Sequence, residues 1–432
     1  MKNLSLKSII ANIIFFLIIL SLGLSFKNSL KWGYDKESFQ ITEFLINYHG
    51  GFVRRGLLGE AIINTYYLTG INPYKIILFI SFSSYLLLIW FYVKGFIKNG
   101  YTLFILPFVF FLGNPINNDF LIRKDVLIMV IFILIMYYST RKSIWSIIQM
   151  NLVLIIGLLI HEGIGFFCLP ILFLILYSKN TISSTTDNYS IKSTITPFFQ
   201  TLPSILTFLC TLHFKGTQNI SLRIWNSWKN IPFPIQSKVE SPIPSAIAGL
   251  SWTLKNELDF MKNCLYHCFN DNIYAPIAWL ITLLVVFHIL TNTSKLNFKI
   301  LNYYPNSNFN KLNISNILVF QLLAITPLFI IASDYGRWVF YWVASSFAII
   351  LIIPEKEISG FFPKYIYSIS TRLNYITESI FGKSSILLLC LLIGFPNYSW
   401  SIGSALDSSS LIMILRFISK IFQQLFHLLL LN

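Results

Sequence analysis

Apolar runs of roughly bilayer-crossing length recur from one end of the chain to the other, and this repetition constrains the fold more than any other feature of the sequence. A helix needs about 20 residues to cross about 30 Å of hydrocarbon. Within lipid the backbone must satisfy its own hydrogen bonds, which helices do segment by segment. Only 11% of the 432 residues are charged, while 55% are hydrophobic and 17% aromatic. A soluble domain carries about 25% charged residues, so this chain has too little polar surface for water. An all-α, polytopic integral membrane protein is expected, with residues 1–432 as a single membrane domain.

About twelve candidate spans start near residues 8, 75, 102, 125, 146, 163, 195, 273, 314, 338, 384 and 410. The first run, Ile9 to Leu24, is long, offers only Gly23-Leu24-Ser25 as a cleavage site and is followed by further spans, so it reads as an uncleaved anchor. The runs Val153 to Ile160 and Gly163 to Leu176 are separated only by His161 and Glu162, which fits one long buried helix or a re-entrant pair. The last segment carries Arg416 and Lys420 and reads either as a span or as an amphipathic surface helix.

With a cytoplasmic N-terminus, the inner loops collect 15 bases against 4 acids, and the outer segments about 15 against 13. Cytoplasmic loops are enriched in Lys and Arg, so this orientation is the favoured one. It explains most of the +15 net charge through anionic lipid headgroups, with no nucleic-acid partner required. Residues 27–74 and 214–272 then form two long outer segments. The shorter turns at Asn114 to Asp125, His161-Glu162-Gly163 and Asp334 to Trp338 fall on the same face.

In the first outer segment Ile41, Phe44, Leu45 and Tyr48 recur at helical spacing, which predicts an amphipathic helix along the membrane surface. Gly50 and Gly51 break it, and a second helix is expected from Phe52-Val53-Arg54-Arg55-Gly56. Arginines in a first helical turn oppose the helix dipole. Backbone N–H groups with two guanidinium forks would offer a phosphate or diphosphate site. Equally, Arg54 and Arg55 pair with Glu43 and Glu60, or reach lipid headgroups. Arg123, Lys124 and Arg337 extend the cationic set on this face. Asp125 fits a plain helix cap, Asp334 with Arg337 a local ion pair, and Trp338 with Trp342 an interfacial belt.

The candidate catalytic acids on that face are Asp35, Glu37, Glu60, Asp119, Glu162 and Asp334, with His161 and His49 as alternative bases. Inverting glycosyl transfer needs one carboxylate to take the acceptor's proton and cations to stabilise a departing phosphate. Trp32, Trp225, Trp228 and Trp252 suit either stacking on sugar rings or interfacial anchoring. No phosphate-cradling Gly-Lys loop, dinucleotide fingerprint or His-Glu-x-x-His motif occurs. The cofactor is therefore unassigned, with a divalent metal left open. Cys168, Cys210 and Cys390 read as core within spans, and Cys264 with Cys268 lack further ligands for zinc.

A membrane start, an outer segment with surface helices and acids, and then many spans resemble the layout of C-type glycosyltransferases and of bacterial O-antigen and capsule polymerases. The stretch Tyr48 to Glu60, YHGGFVRRGLLGE, resembles membrane proteins associated with surface polysaccharide synthesis. The resemblance implies a polyprenyl phosphate or diphosphate sugar donor, a bacterial cytoplasmic-membrane location and partners in polysaccharide assembly. The first segment departs from the pattern in offering Asp35-Lys36-Glu37 where a clean acidic pair is expected. A transporter or flippase of a lipid-linked saccharide, and a non-catalytic scaffold, are the readings from other classes. Transporters place ionisable groups near the bilayer midplane, whereas here charge collects at one face.

Overall fold

The computed structural model describes residues 20–271, 274–293 and 311–382, apart from 21–22, 25, 32, 100–120, 142, 184–190, 236–242 and 359. Every regular element among these residues is helical, and one isolated extended bridge joins Asp35 to Ile235. The main helices are α1 (Phe39–Leu45), α2 (Gly56–Thr69), α3 (Pro73–Asn99), α4 (Lys124–Ser139), α5 (Ile144–Ile160), α6 (Gly163–Ser183) and α7 (Ile191–His213). There follow α8 (Gln218–Trp228), α9 (Leu254–Asp271), α10 (Tyr274–Thr293), α11 (Lys311–Ile331), α12 (Tyr335–Ile352) and α13 (Lys364–Phe381).

Five of these helices, α3, α6, α7, α11 and α12, contain stretches long and apolar enough to cross a membrane, and α5 and α10 are shorter apolar helices. The spans expected near residues 8, 102, 384 and 410 lie outside the described residues. The run around residue 160 is two helices: α5 ends at Ile160, His161 takes an extended conformation, and α6 begins at Gly163.

α12 is the centre of the bundle. Every residue from Gly336 to Ile350 on it is buried, as expected of a helix that is apolar on all sides. It packs against α3, α4, α6 and α11. The indole N–H of Trp342 donates to the Leu318 carbonyl at 2.7 Å and that of Trp338 to Ala332 at 3.2 Å. Both rings are therefore core, and the belt expectation is corrected. Trp225 and Trp228 are buried as well, with Trp228 donating to the Leu45 carbonyl at 2.7 Å, so neither offers a ring face for a sugar. Cys168 is buried, while Cys210 stands on an exposed face of α7 instead of in the core.

The largest correction concerns α1. Ser38 caps it by accepting from the Ile41 N–H at 3.4 Å. Gln40 to Leu45 are then all buried, so the helix lies inside the protein and not on the membrane surface. The apolar spacing was real, but the polar positions between are covered too. α2 begins at Gly56, later than expected, because Arg55 adopts a left-handed backbone with φ of 67°. Arg54 and Arg55 thus precede the helix.

α2 is pressed against the end of α1 at Gly59, where an added Cβ would lie 2.1 Å from the Ile46 carbonyl oxygen and 2.8 Å from that of Phe44. Backbone atoms cannot swing aside as a flexible side chain can. Gly59→Ala is therefore expected to force the two helices apart and lower stability by about 1–3 kcal/mol or more. Gly249→Ala, which meets nothing within 4 Å, serves as the control. Thermal unfolding of the purified protein in detergent checks this, and equal melting temperatures for the two variants would contradict the close packing.

Candidate functional site

One end of the bundle gathers charged side chains from segments far apart in sequence. Glu43 of α1 sits at its heart with no solvent exposure. Three groups surround its carboxylate: His161 Nε2 at 3.6 Å, Arg337 Nη2 at 3.7 Å and Arg123 Nη1 at 4.0 Å. Neither Glu43 oxygen accepts a hydrogen bond. Burial opposes its ionisation, yet the cations around it, Arg337 foremost, hold the carboxyl below the ordinary glutamate range.

Arg337 enters the cluster from the first turn of the central helix. Its guanidinium divides among three segments: Nε donates to Asp125 at 2.9 Å, Nη1 to Asp334 at 3.1 Å, and Nη2 faces Glu43. Asp125 also accepts from the Tyr341 hydroxyl, one turn further along α12. The carboxylate of Asp125 is thus an interhelical partner, and the expectation of a simple cap is corrected. Asp334 and Arg337 do form the local pair, as one arm of this wider network.

The break between α5 and α6 supplies two more members. The His161 N–H continues the helical pattern to the Gly157 carbonyl at 2.8 Å. Its ring Nδ1 accepts from the Gly163 N–H at 3.0 Å, and Nε2 lies 3.4 Å from Arg337 Nη2 and 3.6 Å from a Glu43 oxygen. Burial and the nearby Arg55 push the His161 pKa down to about 3, which keeps the ring neutral. Glu162 faces the other way and is saturated. Arg55 Nε reaches both its oxygens at 2.8 and 3.1 Å, Arg55 Nη2 adds 2.6 Å, and Arg54 Nη1 lies at 3.4 Å. Burial would raise the Glu162 pKa, but Arg55 and Arg54 bring it well below the ordinary value.

Two cations complete the set. Lys124 is wholly buried, and its ammonium donates only to the backbone carbonyls of Arg55 and Ile160, at 3.3 and 3.4 Å. Arg54 turns its outer side to Glu257 of α9 at 3.2 Å, and Lys215 meets the same carboxylate at 3.7 Å. Among the described residues, Arg54, Arg55, Arg123, Lys124 and Arg337 therefore gather with Glu43, Asp125, Glu162 and Asp334, five cations to four carboxylates.

Of the residues nominated from sequence, Glu162, His161, Asp334, Arg54, Arg55, Arg123, Lys124 and Arg337 come together here. Asp35 and Glu60 are engaged in local structure. Asp35 accepts from the Glu37 N–H at 2.9 Å, and Glu60 from the Tyr48 N–H at 3.0 Å and Asn64 at 3.2 Å. Arg54 and Arg55 pair with Glu257 and Glu162, not with the Glu43 and Glu60 that sequence proximity offered. His49 is exposed at a turn, and Asp119 lies outside the described residues. Glu43, Tyr341 and Glu257 escaped nomination. Its place as the one charged residue in Phe39–Leu45 was the signal for Glu43. Among the described residues no group of three or more His, Cys, Asp or Glu is arranged to hold a metal ion.

The titration of this site has a definite sign. The unfolded His161 protonates near pH 6.5, while the folded one stays neutral to about pH 3. Stability is therefore full above 6.5 and falls on acidification through the interval, by about 1.4 kcal/mol per pH unit for one proton. Glu43 and Glu162 are depressed, so their contribution is present above about pH 4.5 and lost below it. His161→Gln is expected to flatten the dependence of unfolding on pH between 6.5 and 4.5, leaving the steeper acid limb in place. An unchanged slope in that window would contradict a buried neutral His161. Comparison with known proteins finds no matching family model, no matching curated protein and no matching solved structure, so the function is to be argued from this geometry.

Proposed function

We propose that the chain transfers a sugar from a polyprenyl phosphate or diphosphate carrier to an acceptor hydroxyl at the extracytoplasmic face of a bacterial cytoplasmic membrane. The observation that carries this reading is the state of Glu43: a fully buried carboxylate, kept ionised by cations, with neither oxygen engaged in a hydrogen bond. A saturated carboxylate such as Glu162 is suited to holding arginines in place. An unsaturated one is suited to taking a proton. In the proposed reaction the acceptor oxygen attacks the anomeric carbon, its proton passes to Glu43, and the carbon–oxygen bond to phosphate breaks. The departing phosphate takes the bonding electrons, and its charge is met by the excess cation of the cluster, with Arg54 and Arg55 nearest its outer side. Arg337 and His161 position Glu43. No metal enters this scheme.

The face assignment draws on the loop charges, because the ends of the helices opposite the cluster carry Lys98, Arg141 and Lys364. Partners in this reading are membrane lipids, the lipid-linked saccharide and proteins of polysaccharide assembly. A second reading, movement of an intact lipid-linked saccharide, is favoured by Asn316 and Gln321. Both are fully buried on α11 with no hydrogen bond to either end of the amide, and polar groups at membrane depth mark transport paths.

Purified protein supplied with a polyprenyl-phosphate sugar and an acceptor separates these readings. Transfer by the wild type is expected, and Glu43→Gln should lose it by about a hundredfold or more, with the neutral amide preserving size. Arg55→Lys keeps the charge but not the fork and should lose at least about tenfold. Transfer at the wild-type rate by Glu43→Gln would remove Glu43 as the base. Flipping of the carrier without transfer would replace the enzyme reading with the transport one. For orientation, Lys255→Cys should react with an impermeant maleimide on intact cells and Thr371→Cys only after lysis. The reverse pattern would invert the face assignment.

A further inference from the structure

The centre of the cluster is sealed, so a ligand must come in at an edge where side chains reach solvent. Lys215 and Glu257, whose side chains are 28% and 18% exposed against none for Glu43, form one such edge, and Asp334, 32% exposed, stands at another. We infer that Arg54 and Lys215 form a phosphate seat that Glu257 occupies in the absence of ligand, and that an isoprenoid phosphate takes its place. This rests on the proposed use of a lipid-phosphate donor, and it names the residues that would first receive one.

The two cations are set side by side by the backbone. The Arg54 N–H donates to the Phe214 carbonyl at 3.0 Å, directly before Lys215. One oxygen of Glu257 lies 3.2 Å from Arg54 Nη2 and the other 3.7 Å from Lys215 Nζ. A carboxylate spanning two cations in this way stands where two phosphate oxygens would stand. Arg54 also holds a donor in reserve: its Nε is buried and has no hydrogen bond. A third phosphate oxygen could use it, and a carboxylate has none to offer. A phosphate monoester or a diphosphate also brings more charge than a glutamate, whereas a monophosphate sugar, a diester, brings the same single charge.

Glu257 is placed to yield. It sits in the first turn of α9, where Leu254, Lys255, Asn256, Leu258, Asp259 and Phe260 are all exposed. Its ion pairs are thus the main hold of that turn on the cluster. Apolar side chains close in sequence to Arg54, Lys215 and Glu257 are exposed. Phe52, 45% exposed, and Phe214, 47%, meet edge to face at 5.4 Å, and Leu254 is 54% exposed. A phosphate on a hydrocarbon chain satisfies both surfaces at once, which inorganic phosphate does not.

Calorimetric titration of the full-length protein in nanodiscs with farnesyl phosphate, farnesol, inorganic phosphate and phosphatidylglycerol tests this. Farnesyl phosphate is expected to bind and farnesol not. Glu257→Gln should bind it about tenfold tighter, since a charged contact no longer has to be broken, and Lys215→Ala should bind it more weakly. In the wild type, amide hydrogen exchange across residues 253–261 should rise on binding, a readout that holds even if a variant fails to fold. Unchanged affinity in Glu257→Gln, or unchanged exchange in the wild type, would overturn the displacement. Equal binding of inorganic phosphate would overturn the isoprenoid part, and equal competition by phosphatidylglycerol would make the seat a headgroup site. Because binding is read without turnover, exchange at Glu257 in a protein that transfers no sugar would remove the enzyme reading alone.

Discussion

The structure depends on the burial of an ionic cluster around Glu43. Moving an isolated carboxylate or guanidinium out of water costs several kcal/mol even after relaxation, and removing one member of a buried pair costs about 3–5 kcal/mol. The members must therefore arrive together and in register. Arg337 ties the start of the central helix to α4 through Asp125 and to α1 through Glu43. Arg55 ties the loop before α2 to the break between α5 and α6 through Glu162. Elsewhere the helices are free to be apolar, and their packing is the ordinary packing of a bundle. Such a cluster is a poor way to gain stability, since apolar residues of the same volume would serve as well or better. Its presence is better explained by chemistry than by folding.

Much of the helical organisation was legible in the sequence because apolar length is a strong signal in a membrane. The breaks were legible too: His161 and Glu162 stand out in a run of aliphatic residues, as do Asp334 and Arg337 before α12. The gathering of these breaks at one end of the bundle follows from counting crossings. Pairing was not legible. Arg54 and Arg55 found Glu257 and Glu162, respectively 203 and 107 residues away, and no local rule points to either. Glu43 was hidden for a related reason. The spacing of Ile41, Phe44 and Leu45 implies one buried face and one wet face, and only tertiary covering by Arg123, His161 and Arg337 turns the second face inward. Trp225, Trp228, Trp338 and Trp342 are core, because an indole suits both an interface and a core, and for Trp228 and Trp342 the carbonyl of Leu45 or Leu318 within reach decides which.

Chemically, the cluster separates two kinds of carboxylate. Glu162 and Asp125 are fixed by arginine and serve as anchors, while Glu43 is surrounded at distances that leave its lone pairs unspent. His161 completes the arrangement as a neutral ring, its Nδ1 accepting from Gly163 and its Nε2 beside Arg337. The excess of one cation is modest, but in a site shielded from water it is felt far more strongly than at a surface. A substrate that carries a phosphate and surrenders a proton would match both features, and a lipid carrier would explain why the site is set at the end of a membrane bundle.

The central claim is that this cluster holds the phosphate of a lipid-linked sugar beside Glu43. Its most direct test is a cryo-EM map of the protein in nanodiscs with a non-hydrolysable polyprenyl-phosphonate sugar. The expected result is phosphonate density at Arg54, with Arg55 or Lys215 as its second cation, and the sugar directed towards Glu43. Ligand density elsewhere in the bundle, with Glu43 still sealed behind Arg123, His161 and Arg337, would contradict it.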